Sequence, residues 1–322
     1  GAVATIQTAN SIARDNIRDT TTSDTLGSEV GLGQNIAAED STSMTFDSSN
    51  NKVVVFYVNA SGGDTKTVVG TVTDNSISFG TPATFTDAQY SVNALSCVFD
   101  SNENKVVFAY VDTGDSNKGK AVVGTVSGTS ISFGSEVEFE SGRPYTLRGT
   151  FDSNSNRVVF VYRDSDNSNY FTSVVGSVNG TSISFGTPVV AASVGSDHLG
   201  CDYDVKYGKV LCCYSDTSDS NKGKGILGTV SGTSISFGTI RTWETGSTSD
   251  IVCRYAPDVE RVVIGFRDRD NSNYGKIAVS LNSGTEPAVY GAVNVHTNET
   301  YEIDMSYDTT ANKMVYLYID HL

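Results

Sequence analysis

An all-β chain arranged as a six-bladed β-propeller, four antiparallel strands to a blade, is the fold class this sequence predicts. Three observations predict it: a composition suited to strands and turns, a unit of about 52 residues that recurs six times, and termini that each hold part of one unit.

The 322 residues include 31 Gly and 16 Tyr, and Val outnumbers Leu 39 to 10. β-Branched and aromatic side chains suit pleated, half-buried strands, and glycine suits tight turns. With 22 Lys+Arg against 37 Asp+Glu the formal charge is −15. A surface of that sign repels phosphate backbones, so nucleic acid is not an expected partner. No apolar run approaches the roughly 18 residues that a spanning helix needs, so no membrane insertion is expected. The chain opens on Gly1 rather than Met, which predicts a processed or trimmed N-terminus.

Two markers define the repeat. A basic residue closes each Phe-Asp-Ser-Asn-type turn at Lys52, Lys105, Arg157, Lys209, Arg261 and Lys313, positions that are 53, 52, 52, 52 and 52 residues apart. An apolar residue followed by glycine falls at Leu26-Gly27, Phe79-Gly80, Phe133-Gly134, Phe185-Gly186, Phe237-Gly238 and Tyr290-Gly291. Six copies at one period predict six blades, at about 36–85, 90–139, 143–190, 195–243, 247–295, and 299–322 with 1–31.

The third copy shows the strands in order. A first run, Tyr145 to Phe151, ends in the polar turn Asp152 to Asn156. A second run, Arg157 to Arg163, is apolar on both faces and reads as buried. A third, Tyr170 to Val178, leads into Asn179-Gly180, a strong hairpin signal. A fourth, Ser182 to Phe185, alternates serine with apolar residues, as an outer, half-wet strand should. At the ends, Ala2–Ile6 matches a third strand and Leu26–Val30 a fourth, whereas the chain stops just past a second strand at Met314–Ile319. The N-terminal strands are therefore expected to complete the sixth blade and close a ring, with residues 7–25 as an insertion between them.

The string Gly-Thr-Val-Ser-Gly-Thr-Ser-Ile-Ser-Phe-Gly, at Gly124–Gly134 and again at Gly228–Gly238, and the Phe-Asp-Ser-Asn-x-Asn turn resemble repeats in β-propeller proteins of marine bacteriophages. Some of those look like tail-fibre or other virion-surface components. The resemblance implies a bacteriophage tail-fibre or appendage module, located on a virion or another extracellular surface. It carries no catalytic residue to transfer.

Function is expected on loops. The loop after each second strand is rich in side-chain oxygens, as in Asp164, Asp166, Asn169 and Asp268, Asp270, Asn273. Such clusters suit Ca²⁺, although no bidentate Glu completes an EF-hand pattern. The same residues also suit turns in which Asp and Asn cap the backbone. The inter-blade connections at that end vary most and carry Tyr90, Arg143, Tyr145, His198, Trp243, Glu244, His296 and Tyr301. Aromatic rings among carboxylates and amides suit a surface glycan, suit a protein partner equally, and can also simply pack over the blade ends.

The five cysteines lack CxxC spacing and nearby histidine, so they read as buried free thiols. Catalysis is not expected. The repeated turn differs from a sialidase Asp-box, and Arg143, Arg148, Arg254 and Arg267 are matched to no nucleophile. The expected function is non-enzymatic binding of a host-surface glycan. The alternatives are a building block of a filament or virion, assembled through homo-oligomer or other protein contacts, and a sialidase-like glycoside hydrolase.

Overall fold

The computed structural model describes residues 3–10, 30–32, 36, 42–60, 63–74, 76–86 and 90–320, with side chains placed for all of these except 3–10, 85, 86, 90–93 and 320. Every regular element among them is an antiparallel strand, and none is a helix.

The third repeat forms the strands Pro144–Asp152, Arg157–Asp164, Tyr170–Asn179 and Ser182–Phe185. They pair in chain order, with Thr150 opposite Val159, Val159 opposite Val175 and Gly176 opposite Phe185. Burial follows the expected gradient. Val158 to Tyr162 are fully buried, while Ser182 and Ser184 on the outer strand are exposed.

The turn motif has a physical explanation. In the third repeat the Asp152 carboxylate accepts the backbone N–H of Asn154 at 2.9 Å and of Ser155 at 3.0 Å. Asp47, Asp100 and Asp308 cap their turns in the same way. The last turn residue is left-handed at Asn51, Asn104, Asn156 and Asn312 (φ 53 to 55°), a conformation that asparagine tolerates better than most residues. The Ser-Asn pairs of the second loop, such as Ser168-Asn169 and Ser272-Asn273, are left-handed at both positions.

The Phe-Gly marker is steric. A methyl group on Gly134 would lie 1.8 Å from the Thr181 carbonyl oxygen of the following repeat, and one on Gly186 would lie 1.9 Å from that of Thr233. Gly80 and Gly238 meet Thr129 and Thr285 alike. Each outer strand is thus seated against the hairpin tip of the next repeat, at a spacing only glycine allows.

The chain divides into two compact units, one of residues 23–189 with 232–234, the other of 1–22, 190–231 and 235–322. Within each, apolar cores lie between the faces of consecutive repeats. In the first unit Phe56 and Val69 pack with Leu95 and Phe108, and Val107 and Val123 with Leu147 and Phe160. In the second, Leu211 and Cys213 pack with Ile251 and Cys253, and Val252 and Val263 with Met305 and Tyr316. All five cysteines are buried free thiols, and burial pushes the Cys212 thiol well above its ordinary pKa.

Each unit also leaves an apolar strand face uncovered. Met44 is 63% exposed, although its repeat equivalents Cys97, Cys201, Cys253 and Met305 are all buried, and Phe46 beside it is 52% exposed. In the other unit Leu317 is exposed on the sixth repeat's second strand, where its equivalent Val161 of the third repeat is buried, and Ile319, at the position of the half-buried Arg163, is exposed beside it.

Two features extend the sequence reading. Strand Val3–Asn10 pairs antiparallel with Lys313–Asp320, Thr5 opposite Tyr318, and so takes the third-strand place in the sixth repeat. It runs to Asn10, so the insertion begins later than residue 7. The rest of the insertion and residues 26–29 of the expected fourth strand Leu26–Val30 lie outside the described residues, and Val30 is in no strand. The connections between repeats are strands rather than loops: Val137–Glu140 and the first halves of Arg241–Ala256 and Ala288–Asp308 hydrogen-bond back onto the preceding third strand.

Candidate functional site

The first strands of the third to sixth repeats share one irregularity. Their pairing slips between Tyr145 and Arg148, Asp197 and Gly200, Ser249 and Val252, and Tyr301 and Asp304. Inside each slip one non-glycine residue is left-handed: Thr146 (φ 49°), His198 (47°), Asp250 (50°) and Glu302 (48°). Such a residue stores on the order of 1 kcal/mol or more of strain, and the bulge redirects the neighbouring side chains. These bulges stand at the end that carries the Asp-rich loops, since Tyr145 pairs with Arg163 just before Asp164.

Two arginine–tyrosine corners result. In the first unit the Arg163 guanidinium stacks 4.4 Å from the centre of the Tyr145 ring, and Arg143 stands 5.4 Å from the same centre. The three side chains are half-buried. In the second unit Arg267 stacks 4.1 Å from the Tyr301 ring. Tyr145 and Tyr301 hold the same repeat position, as do Arg163 and Arg267.

The corners differ in charge. Arg267 lies 3.6 Å from Asp250 and 3.8 Å from Glu299, and Asp250 is 3.7 Å from His198 Nδ1. Glu299 also accepts the Asn273 amide at 2.8 Å and the Tyr301 hydroxyl, and that last bond pushes the Tyr301 phenol above its ordinary pKa. This corner is internally neutralised. At the other corner Asp166 is turned onto the Arg143 backbone N–H at 3.0 Å, and Glu140 onto the Gly142 N–H and the Tyr162 hydroxyl. Burial, with the Glu140 charge second, raises the Asp164 pKa.

The sequence candidates separate accordingly. Arg143 and Tyr145 meet, as do His198 and Tyr301 through Asp250 and Arg267. The Trp243 ring packs edge-on against Phe266 at 4.9 Å and fills the space above Gly223, where a methyl would touch it at 2.7 Å, which is the packing alternative. It occupies the place of Phe139 over Gly119, as core filling for a third strand stripped to glycine. Glu244 folds back on the N–H groups of Thr245 and Gly246. His296 packs on Tyr318 at 4.9 Å, and its Nδ1 accepts the Asn298 N–H. The Tyr90 side chain lies outside the described residues. Arg163 was missed by sequence reading, although arginine stands at that position only in the third and fifth repeats.

The Ca²⁺ candidates are each engaged by protein. Asp164 accepts the Asn167 N–H at 3.2 Å, Asp268 accepts the Asp270 N–H and the Lys276 ammonium, and Asp270 accepts the Ser247 N–H at 2.9 Å. Asn169 is left-handed beside Ser168, and Asn273 donates to Glu299. In the second repeat Lys120 holds Asp112 at 2.7 Å, where the third repeat has Thr172. Among the described residues no group of three or more His, Cys, Asp or Glu side chains is placed to hold a metal ion.

No family model matches the sequence, and no curated protein matches it. Solved structures do match in fold. The BP39L lectin of Burkholderia pseudomallei aligns at a TM-score of 0.62 with 9% identity, over 83% of this chain and 74% of that one. A Dyadobacter fermentans protein of unknown function aligns at 0.56 with 10% identity, over 90% and 97%. A Bacteroides fragilis protein proposed to be a 6-phosphogluconolactonase aligns at 0.55 with 10% identity, over 85% and 75%.

Proposed function

We propose that this chain is a six-bladed β-propeller that binds glycan without catalysis, at the bulged end of its inner strands, as a virion or other extracellular surface module. The observation that carries the binding reading is the pair of arginine–tyrosine corners, one within the third repeat (Arg163 on Tyr145) and one between the fifth and sixth (Arg267 on Tyr301). Ring faces, guanidinium donors and carboxylate acceptors on rigid strands are the groups that grip sugar hydroxyls and apolar ring faces. The fold likeness to a lectin adds support. The resemblance of the repeat to bacteriophage proteins supports a tail-fibre or appendage setting.

Ring closure is supported by the uncovered faces. Met44 on one terminal repeat and Leu317 on the other are exposed at positions where interior repeats bury Cys97, Cys201 and Cys253, and Ala109, Val161 and Cys213, respectively. Closing the six repeats would bury both. The same faces favour a second reading, in which successive copies cover one another and the protein is a filament or virion building block.

The test is a glycan microarray run alongside hydrolysis assays on aryl-glycosides and sialosides. Retention on defined glycans with no turnover is expected. Turnover would replace the reading with a glycosidase, and absence of both would favour the building block.

A further inference from the structure

We infer that the Arg143–Tyr145–Arg163 corner selects an anionic group, so that the glycan it binds is an acidic one, carrying a carboxylate or a sulfate. This rests on the glycan-binding reading and specifies its ligand class.

Three observations converge. The first is the presence of two guanidinium groups at one ring, 4.4 and 5.4 Å from its centre. Both centres lie within the roughly 6 Å reach of a cation–π contact, so one tyrosine holds two cations. The second is the state of Arg143. It makes no ion pair among the described residues, and its Nε is shielded from water with no hydrogen-bond acceptor. A guanidinium has five N–H donors and no acceptor, so an unfilled buried N–H calls for an oxygen from outside. The third is where the nearby carboxylates are spent. Asp166 is held by the Arg143 main chain, Glu140 by Gly142 and Tyr162, and Asp164 by Asn167.

The other corner supplies the contrast. Arg267, on the tyrosine of the following repeat, also has a shielded Nε without an acceptor, but it already has Asp250 and Glu299 within 4 Å. It offers donors and acceptors together, which suits neutral hydroxyls. Around Arg143 the nearby carboxylates are turned onto main-chain N–H groups and the Tyr162 hydroxyl, so the Arg143 guanidinium keeps donors to offer. Planar guanidinium forks match the paired oxygens of carboxylate and sulfate.

The experiment is titration calorimetry of the full chain with three probes: a hyaluronan tetrasaccharide for the carboxylate, a chondroitin 4-sulfate tetrasaccharide for the added sulfate, and chitotetraose as the neutral oligosaccharide. Wild type, Arg143→Gln, Arg143→Lys and Arg148→Gln are compared, each checked for an unchanged melting temperature. Arg148 is an exposed cation on the same strand whose guanidinium rests on the Leu147 carbonyl. Binding of one or both acidic probes is expected, weakened about tenfold or more by Arg143→Gln, which corresponds to about 1.4 kcal/mol. Arg143→Lys should recover part of that loss, and Arg148→Gln none should be seen. A stronger response to the sulfated probe assigns the group to sulfate, and an equal response assigns it to carboxylate. Equal affinity for chitotetraose, or equal losses in Arg143→Gln and Arg148→Gln, would overturn the inference while leaving glycan binding intact. No binding of any probe, in a protein that also retains nothing on the glycan array, would overturn both.

Discussion

Replacing Gly134 with alanine tests why the Phe-Gly marker recurs. The new methyl would sit 1.8 Å from the Thr181 carbonyl oxygen and 3.0 Å from its carbon. Ordinary contact begins near 3.4 Å, so the two strands must separate by about 1.6 Å (3.4 − 1.8) or lose their seating. The obstacle is backbone, which cannot swing aside as a side-chain tip can. Overpacking costs about 1–3 kcal/mol when side chains can adjust, so a loss of about 3 kcal/mol or more is expected here. It outweighs the 0.4–1 kcal/mol or so that alanine gains by restricting the unfolded chain. Gly180→Ala is the control, because its methyl would meet nothing within 4 Å and pays only for a φ of +61°. That conformational term is about 1–2 kcal/mol. Urea unfolding followed by circular dichroism, with midpoints and slopes fitted together, measures both. Gly134→Ala should unfold at clearly lower urea than Gly180→Ala. Equal midpoints, or a smaller effect at Gly134, would refute the steric explanation.

Asp152→Ala should destabilise by about 2–3 kcal/mol in the same assay, since a buried carboxylate accepting two backbone N–H groups of its turn is lost. Met44→Ala discriminates the closed ring: a residue left 63% exposed should change stability by no more than about 0.5 kcal/mol, whereas burial by a neighbouring blade would make the loss about 2–5 kcal/mol. For Asp164, burial and Glu140 raise the folded pKa above the unfolded one, so the folded state binds this proton more tightly. Its contribution to stability is therefore fully present below the unfolded value of about 3.9 and is lost as pH rises through the raised folded pKa. Asp164→Asn should gain on wild type at pH 7, and that advantage should shrink as pH falls toward 4 in thermal melts. An advantage that grew on acidification would contradict the assignment.

The strands were legible because their period-2 pattern, turn motifs and repeat all point the same way. Val158–Tyr162 could be read as buried and Ser182–Phe185 as outer from apolar spacing alone. The Phe-Gly marker was visible as a pattern, but its cause was not, because a clash with Thr181 belongs to a contact 47 residues away (181 − 134). The connections looked like loops because their sequences diverge between repeats. Their pairing with the preceding third strand depends on backbone geometry that sequence variation does not report. The packing role of Trp243 was hard to single out for a related reason. Nothing local marks it as the lid over Gly223, and only its equivalence to Phe139 across two repeats would have shown it. Of the site, Tyr145, Arg143, His198 and Tyr301 were accessible as polar and aromatic residues on one end. Arg163 was hidden near the end of an apolar second strand, and the left-handed positions share no residue type (Thr146, His198, Asp250 and Glu302), so no common sequence signature marks the bulge.

Class-averaged electron microscopy of the purified chain, from nanomolar to micromolar concentration, tests the ring most directly. Single discs with six lobes and a central hole are expected, at every concentration. An open arc, two separate bodies, or discs strung into filaments as concentration rises would contradict a self-closed six-bladed ring.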